Sequence, residues 1–310
     1  MRIIFFGTPE FAVPSLRALL GEGFDVAAVV TQPDRPHGRS RSELVAPPVK
    51  VAAVEHQLIV LQPERPDAAG LAGELAALHP TLGVVVAYGH ILKPALLAMP
   101  THGMVNVHAS LLPRLRGAAP IPHAILAGDT QTGISIMQMD EGMDTGPVLL
   151  RVPTPIAPDE TGGELTARLA ELGALALVEA LTLLAGGMAR PEPQDPTAAT
   201  YAPKLTRELA RIDWRQPAEH VARVVRALDP KPGAWTTLDD HELKLFGPQA
   251  ADAPPPGTAP GAIVSIDPAL VVATGSGALQ FLDVQPAGRT RMAAGAWGRG
   301  RAARPGERLA

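Results

Sequence analysis

The chain has 310 residues, 46% hydrophobic and 19% charged, with a formal net charge of −4. That length suggests two domains, because a single core rarely grows past about 250–300 residues, and the composition predicts a folded core rather than a disordered chain. Cysteine is absent, which excludes disulfides, thiolate metal sites and cysteine nucleophiles.

The opening run Met1-Arg2-Ile3-Ile4-Phe5-Phe6 holds too few apolar residues before its turn for a signal-peptide core. The most apolar later stretch, residues 165–185, carries Arg168, Glu171 and Glu179, which argues for a surface helix rather than a membrane span. These features predict a soluble, cytoplasmic protein with no membrane partner. The charge is uneven: residues 204–310 hold 14 Lys and Arg against 11 Asp and Glu, whereas residues 1–203 hold 13 against 20. The C-terminal part is therefore permitted, though not required, to contact nucleic acid.

In chain order, residues 2–6 and 25–31 read as buried strands, with apolar residues at helical spacing over 12–20 between them. Strands are predicted at 58–61, 82–87 and 103–107, with a helix over 68–78. This alternation predicts an open, mostly parallel Rossmann-like sheet with helices on both faces. Strands at 134–137 and 147–152 and a long helix over 165–184 close that part, and Gly186-Gly187 stops the helix. Four prolines between 190 and 203 read as an extended linker. Beyond it, a helix over 218–228 and short strands at 235–238, 243–246, 262–266, 270–273 and 279–284 predict a small barrel or sandwich. The Pro-rich insert 249–261 is expected to be a mobile loop, and the Arg-rich tail 299–308 to be partly disordered.

Gly7 follows the first strand, where a dinucleotide-binding loop would begin, but Gly7-Thr8-Pro9-Glu10-Phe11-Ala12 lacks the second and third glycines. Nicotinamide binding is not expected, and Gly7 reads as a tight strand-to-helix turn. The ligand crevice of such a sheet still lies at the carboxyl ends of its strands.

Asn106 and His108 are two residues apart on a predicted strand and so project from one face. Asp144 lies in the loop Asp140-Glu141-Gly142-Met143-Asp144-Thr145-Gly146. Together they supply an amide donor, a proton shuttle and an anionic partner for the imidazole. By residue type alone a satisfied structural cluster is the commoner reading, and His102, His108 and Asp144 form a metal alternative whose spacing fits no common zinc pattern. No metal is expected.

The run Asn-Val-His-Ala-Ser-Leu-Leu-Pro-Arg-Leu-Arg-Gly-Ala-Ala-Pro-Ile at 106–121 closely resembles the signature of the folate-dependent formyltransferases. Thr31-Gln32-Pro33-Asp34-Arg35-Pro36, Gly38-Arg39, Ala87-Tyr88-Gly89, Ile136-Met137-Gln138-Met139-Asp140 and Asp144-Thr145-Gly146 resemble the branch of that family acting on tRNA. Tyr201-Ala202-Pro203-Lys204-Leu205, Arg211-Ile212-Asp213-Trp214 and Gln285-Pro286-Ala287-Gly288 carry the likeness into the C-terminal part.

The resemblance implies a formyl transfer from 10-formyltetrahydrofolate to the methionine of initiator tRNA, with Asn106, His108 and Asp144 catalytic. It implies a folate crevice formed by Val86, Tyr88, Gly89, His90 and Ile91 and by Asp140 and Gly142, with Ser110, Leu111, Leu112 and Pro113 shaping the strand exit. Arg35, Arg39 and Arg41 of a basic exposed loop, and Lys204, Arg207, Arg289 and Arg291 of an OB-like barrel, are implied contacts for the tRNA; no obligate protein partner is implied. The expected organisation is a catalytic domain over 1–189, a linker over 190–206 and the tRNA-binding barrel over 207–310. The loop departs from the family in carrying Ser40-Arg41-Ser42-Glu43 where a lysine-rich run is usual.

Overall fold

The structure, a computed structural model, describes residues 1–37, 43–66, 70–301 and 303–310. It divides into two compact units. The first comprises Met1–Pro120, Gln131–Pro155 and Thr166–Ala202, and the second Ile121–Thr130, Ile156–Leu165 and Pro203–Ala310. The stretch read as a linker contains one helical turn, Pro196–Ala198, capped by Asp195, and as far as Ala202 it belongs to the first unit.

The chain begins β1 (Arg2–Gly7), α1 (Val13–Gly21), β2 (Asp25–Val30), β3 (Arg35–His37), β4 (Glu43–Val45), α2 (Pro48–Glu55), β5 (Val60–Leu61), α3 (Leu71–Ala76), β6 (Leu82–Val86), α4 (Pro94–Leu97) and β7 (Met104–His108). It continues with α5 (Pro120–Ala127), β8 (Gln131–Gln138), β9 (Val148–Pro155) and α6 (Gly162–Ala185). Seven strands form one sheet in the order β5-β2-β1-β6-β7-β8-β9, parallel as far as β7 and antiparallel at β8 and β9.

Strand β6, Leu-Gly-Val-Val-Val, is buried along its whole length, as a central parallel strand must be when both faces are covered. On one face Ile4, Phe6, Ala28, Val30, Val85 and Met104 pack with Leu71 and Leu75 of α3 and Leu96 of α4. On the other, Gly173 of α6 stands against Val107 and Ile134. Helices thus lie on both faces of the sheet.

The basic loop expected after residue 34 is framed by a short hairpin, with Arg35 opposite Val45 and His37 opposite Glu43. Its base is anchored by Asp34, which accepts from Gln62 Nε2 at 2.7 Å and pairs with Lys50 at 2.7 Å. Those two partners, the Gln62 bond first, hold the half-buried Asp34 carboxyl below its ordinary pKa.

The second unit adds α7 (Ala218–Ala227), β10 (Trp235–Leu238), β11 (His241–Ala251), β12 (Ile263–Ser265), β13 (Leu270–Ala273), β14 (Ala278–Pro286), β15 (Met292–Ala293) and α8 (Ala294–Arg301). Its antiparallel sheet has the order β10-β11-β14-β13-β12, with β15 against β14. Trp214 anchors the interior, edge-on to Phe281 at 5.9 Å and donating from Nε1 to Thr236 Oγ1 at 3.0 Å.

Two expectations are corrected. Residues 249–251, assigned to a mobile insert, extend β11 and pair with 278–280 of β14. The Arg-rich tail, expected to be partly disordered, is held along its described part. Glu307 and Leu309 bond the β12 side through Ile263 and Gly261, and Ala310 exchanges two 3.0 Å bonds with Thr237 of β10. β10 and β12 are the two edges of the curled sheet, so the tail bonds to both and covers part of each edge. Local composition misled here because the partners that tie the tail to the sheet, Gly261, Ile263 and Thr237, are distant in sequence.

Candidate active site

Strand β7 sets Asn106 and His108 on the same face as Met104. Asn106 is half-buried, and its amide makes no side-chain hydrogen bond among the described residues. His108 is 5% exposed, so both ring nitrogens need an account. Nε2 lies 3.0 Å from the carbonyl oxygen of Leu115. A carbonyl only accepts, so Nε2 carries a hydrogen and Nδ1 is the nitrogen left for proton exchange. Nδ1 faces Asp144, with Oδ2 at 3.7 Å.

The turn that supplies the Leu115 carbonyl is tightly braced. Ser110 Oγ donates to Arg114 O at 2.6 Å, Ser135 Oγ to Ser110 O at 2.7 Å, and Arg151 Nε to Leu112 O at 2.8 Å. Leu112 N donates to Ser135 Oγ and Leu115 N to Thr200 Oγ1.

Asp144 arrives from an unexpected direction. Gln138, the last residue of β8, lies opposite Val105, so the β8–β9 connection starts beside the N-terminal half of β7. The loop must fold back across the face of the sheet to bring Asp144 to His108. Gly146 makes this close passage possible, since a Cβ there would lie 1.9 Å from the Gln138 carbonyl oxygen. The Asp144 carboxylate is fixed by the Gly117 N–H, which donates to Oδ2 at 2.7 Å. The cluster can present an amide, an imidazole nitrogen and a carboxylate to one reacting centre.

Of the residues expected around a folate, Ile91 and Met143 are apolar and stand 83% and 61% exposed, on the connections after β6 and β8. Gly89 and Gly142 are exposed, and the Asp140 carboxylate binds Gly142 N at 3.0 Å and Thr145 Oγ1 at 2.6 Å. Among the described residues, the buried Nε2 of His90 has no partner. Val86 and Leu112 are buried, and the Ser110 hydroxyl donates within the turn. Leu111 and Pro113 are half-buried.

The Tyr88 ring is in the core, edge-on to Phe6 at 5.5 Å and to His90 at 5.4 Å. Its buried hydroxyl has no partner among the described residues, and burial pushes its pKa up to about 12. An ionised Tyr88 is far less acceptable in the folded state than in the unfolded chain, so stability falls as pH rises from about 10 towards 12. Tyr88→Phe should leave thermal stability at pH 7 unchanged or slightly raised, since it removes an unsatisfied buried hydroxyl. It should also flatten the alkaline decline. Melting curves at pH 7 and pH 11 check this, and an equally steep decline in the variant would disprove it.

Arg39 and Arg41 lie outside the described residues. Arg35 is exposed and donates to Gln32 Oε1 at 2.9 Å. Lys204 and Arg289 are exposed, and neither side chain has a partner among the described residues. Arg207 is paired with Glu242 and lies 4.6 Å over the Trp235 ring. Arg291 is committed within the second unit: it pairs with Asp283 at 2.9 Å and with the buried Asp229 at 3.1 Å, over the Phe246 ring. A cavity of about 710 Å³ in the second unit is lined by Arg211, Asp213, Trp214, Arg215 and Arg308 among others, and its lining does not include Asn106, His108 or Asp144. Among the described residues no group of three His, Asp or Glu could hold a metal ion, and no helix is long and apolar enough to cross a membrane.

The sequence reading did not single out three residues that complete the cluster. Arg116 and Gly117 sat inside the quoted motif without a role. Gln194 fell in the stretch read as a linker, where nothing local reports partners 48 to 78 residues away.

Residues 1–181 match the formyl transferase family and residues 204–302 its C-terminal domain. A protein of Halorhodospira halophila (strain DSM 244 / SL1) named methionyl-tRNA formyltransferase is 50% identical over 307 residues, covering 99% of this chain and 98% of that one. Methionyl-tRNA formyltransferase from Clostridium thermocellum superposes with a TM-score of 0.58 at 16% identity, over 81% of this chain and 93% of that one. HypX from Aquifex aeolicus in complex with tetrahydrofolic acid superposes with a TM-score of 0.66 at 20% identity, over 96% of this chain but only 47% of that one. At the identity and coverage it shares with the Halorhodospira protein, the chain belongs to the methionyl-tRNA formyltransferases of the formyl transferase family.

Proposed function

We infer that the protein transfers the formyl group of 10-formyltetrahydrofolate to the α-amino group of methionine on initiator tRNA, releasing tetrahydrofolate and N-formylmethionyl-tRNA. The observation that carries the reading is the convergence of a free Asn106 amide, a His108 ring oriented from its Nε2 side, and the Asp144 carboxylate 3.7 Å from Nδ1. The folate supplies an activated formyl carbon. Exposed Ile91 and Met143, together with the His90 Nε2 that has no partner among the described residues, suit a heterocycle that is apolar on its faces and polar at its edges.

The methionyl amine has a reference pKa of about 7.7–8.0 and is accessible as a neutral nucleophile near neutral pH. As it adds to the formyl carbon, Asn106 donates a hydrogen bond to the oxygen that gains negative charge. His108 Nδ1 takes up the proton that the amine sheds and returns one to the departing folate nitrogen. Asp144 faces that nitrogen and stabilises the ring while it is charged. The Leu115 carbonyl keeps the ring from rotating throughout.

In this reading the first unit performs the chemistry, and Arg35, Arg39, Arg41, Lys204, Arg207 and Arg289 meet RNA phosphates or base edges. A substrate drawn from the charged tRNA pool places the reaction in the cytoplasm. The test is transfer of labelled formyl from 10-formyltetrahydrofolate to charged initiator tRNA against charged elongator tRNA. Transfer confined to the initiator is expected. Equal transfer to both would overturn the tRNA assignment, and release of no tetrahydrofolate would overturn the enzyme assignment.

A further inference from the structure

Gln194 lies in none of the motifs, yet every hydrogen-bonding position of its amide is in use. Nε2 donates to the carbonyl of Asp144 at 2.8 Å and to that of Gly146 at 2.7 Å. Oε1 accepts from Nε and Nη2 of Arg116 at 3.1 and 2.7 Å. An amide offers two donors and two acceptor positions, so this one is fully satisfied.

The two carbonyls it holds are those of the carboxylate-bearing residue and of the glycine two positions on. Asp144 needs holding, because its φ of +55° is a conformation that residues other than glycine seldom adopt. Arg116, which is 4% exposed, is followed directly by Gly117, whose N–H grips the Asp144 carboxylate. The bonds close a ring: Gln194 to Arg116, Arg116 along the chain to Gly117, Gly117 to the Asp144 carboxylate, and the Asp144 backbone to Gln194. The segment bearing Gln194 is itself pinned at both ends. Glu192 and Val148 exchange backbone bonds at 2.8 and 2.9 Å, and Arg116 pairs with 200–202 by bonds of 2.8 Å.

We propose that Gln194 is a positioning residue for the reaction, acting with Arg116 to set the backbone of the Asp144 loop and through it the carboxylate that faces His108. The proposal rests on the formyl-transfer reading for its consequence in turnover, but its structural half stands apart from it. A displacement of about 1 Å at a reacting group can cost roughly 10²-fold in rate, so loss of this clamp should be read mainly in kcat.

Two variants separate positioning from simple stability. Gln194→Leu removes all four bonds but leaves a buried guanidinium unpaired. Gln194→Glu keeps Arg116 paired and removes only the donors to the two loop carbonyls. Both are expected to lower kcat about 30- to 100-fold with KM for the charged tRNA within about twofold. Both should also speed hydrogen exchange of the Gly117 amide by about tenfold or more. In an Asp144→Ala background under single-turnover conditions, Gln194→Glu should add less than about twofold, because the group it positions is gone. Unchanged Gly117 exchange in Gln194→Glu would overturn the proposal whether or not the wild-type protein transfers formyl. Undiminished kcat in an active enzyme, or a full multiplicative loss in the Asp144→Ala background, would overturn it as well. A wild-type protein without formyl transfer would instead sink the function while the exchange measurement still decided the clamp.

Discussion

His108→Ala is expected to lower turnover of formyl transfer by at least about 10²–10³-fold while the protein stays folded. The ring is the group in the cluster built both to take and to give a proton, and a positioned general acid–base contributes about 10²–10⁴-fold. Its geometry ties that role to one atom. Nε2 is committed to the Leu115 carbonyl at 3.0 Å, so Nδ1, 3.7 Å from the Asp144 carboxylate, has to carry the exchange. Truncation also leaves the Leu115 carbonyl without its donor, which costs stability of about 1–3 kcal/mol. Turnover should therefore be compared well below the variant's melting temperature. His108→Gln separates the two effects, since its amide can still donate to Leu115 but cannot shuttle a proton; it should regain stability and not rate. Wild-type-like turnover in purified His108→Ala would remove the assignment. Asn106→Ala is expected to lose about 10²–10³-fold through the oxyanion contact alone.

The second large effect is structural. Gly117→Ala should both destabilise the first unit and depress turnover, although it adds a single methyl group. Gly117 has φ +117°, and a Cβ there would meet the backbone carbonyl oxygen of Ala202 at 2.7 Å. Neither problem is relieved by a rotamer change, because the obstacle is backbone. The conformation alone costs about 1–3 kcal/mol, and the collision must displace either the 116–119 turn or the 200–202 strand that pairs with it. Either movement shifts the N–H that holds Asp144 Oδ2 at 2.7 Å. A lower melting temperature accompanied by loss of kcat is expected, and Asp144→Ala should show the kcat loss with less of the stability loss. A Gly117→Ala protein with unchanged stability would show that this backbone relaxes more freely than its packing suggests.

The parallel sheet was legible because hydrophobic runs report it directly. Strand β6 is buried on both faces and reads as an unbroken apolar stretch, and β10 and β13 coincide with their predicted ranges. The pairing of Asn106 with His108 was legible for a similar reason, since period two on a strand is local geometry. Less legible were features whose partners lie elsewhere in the chain: the β3–β4 hairpin, the extension of β11 through Ala251, the tail that bonds to both edges of the curled sheet, and the Gln194 clamp.

Sequence alone thus determined the alternation of strands and helices, the change of pattern after the proline-rich stretch, and the identity of the groups able to do chemistry, because each depends on residues within a few positions of one another. Tertiary structure decided which imidazole nitrogen is free, that the Asp144 loop crosses the sheet face to reach it, and that a supposed linker holds the loop there. Those outcomes depend on hydrogen bonds between residues up to 85 positions apart. Such bonds form only once apolar burial has brought the segments together, and no local pattern encodes them.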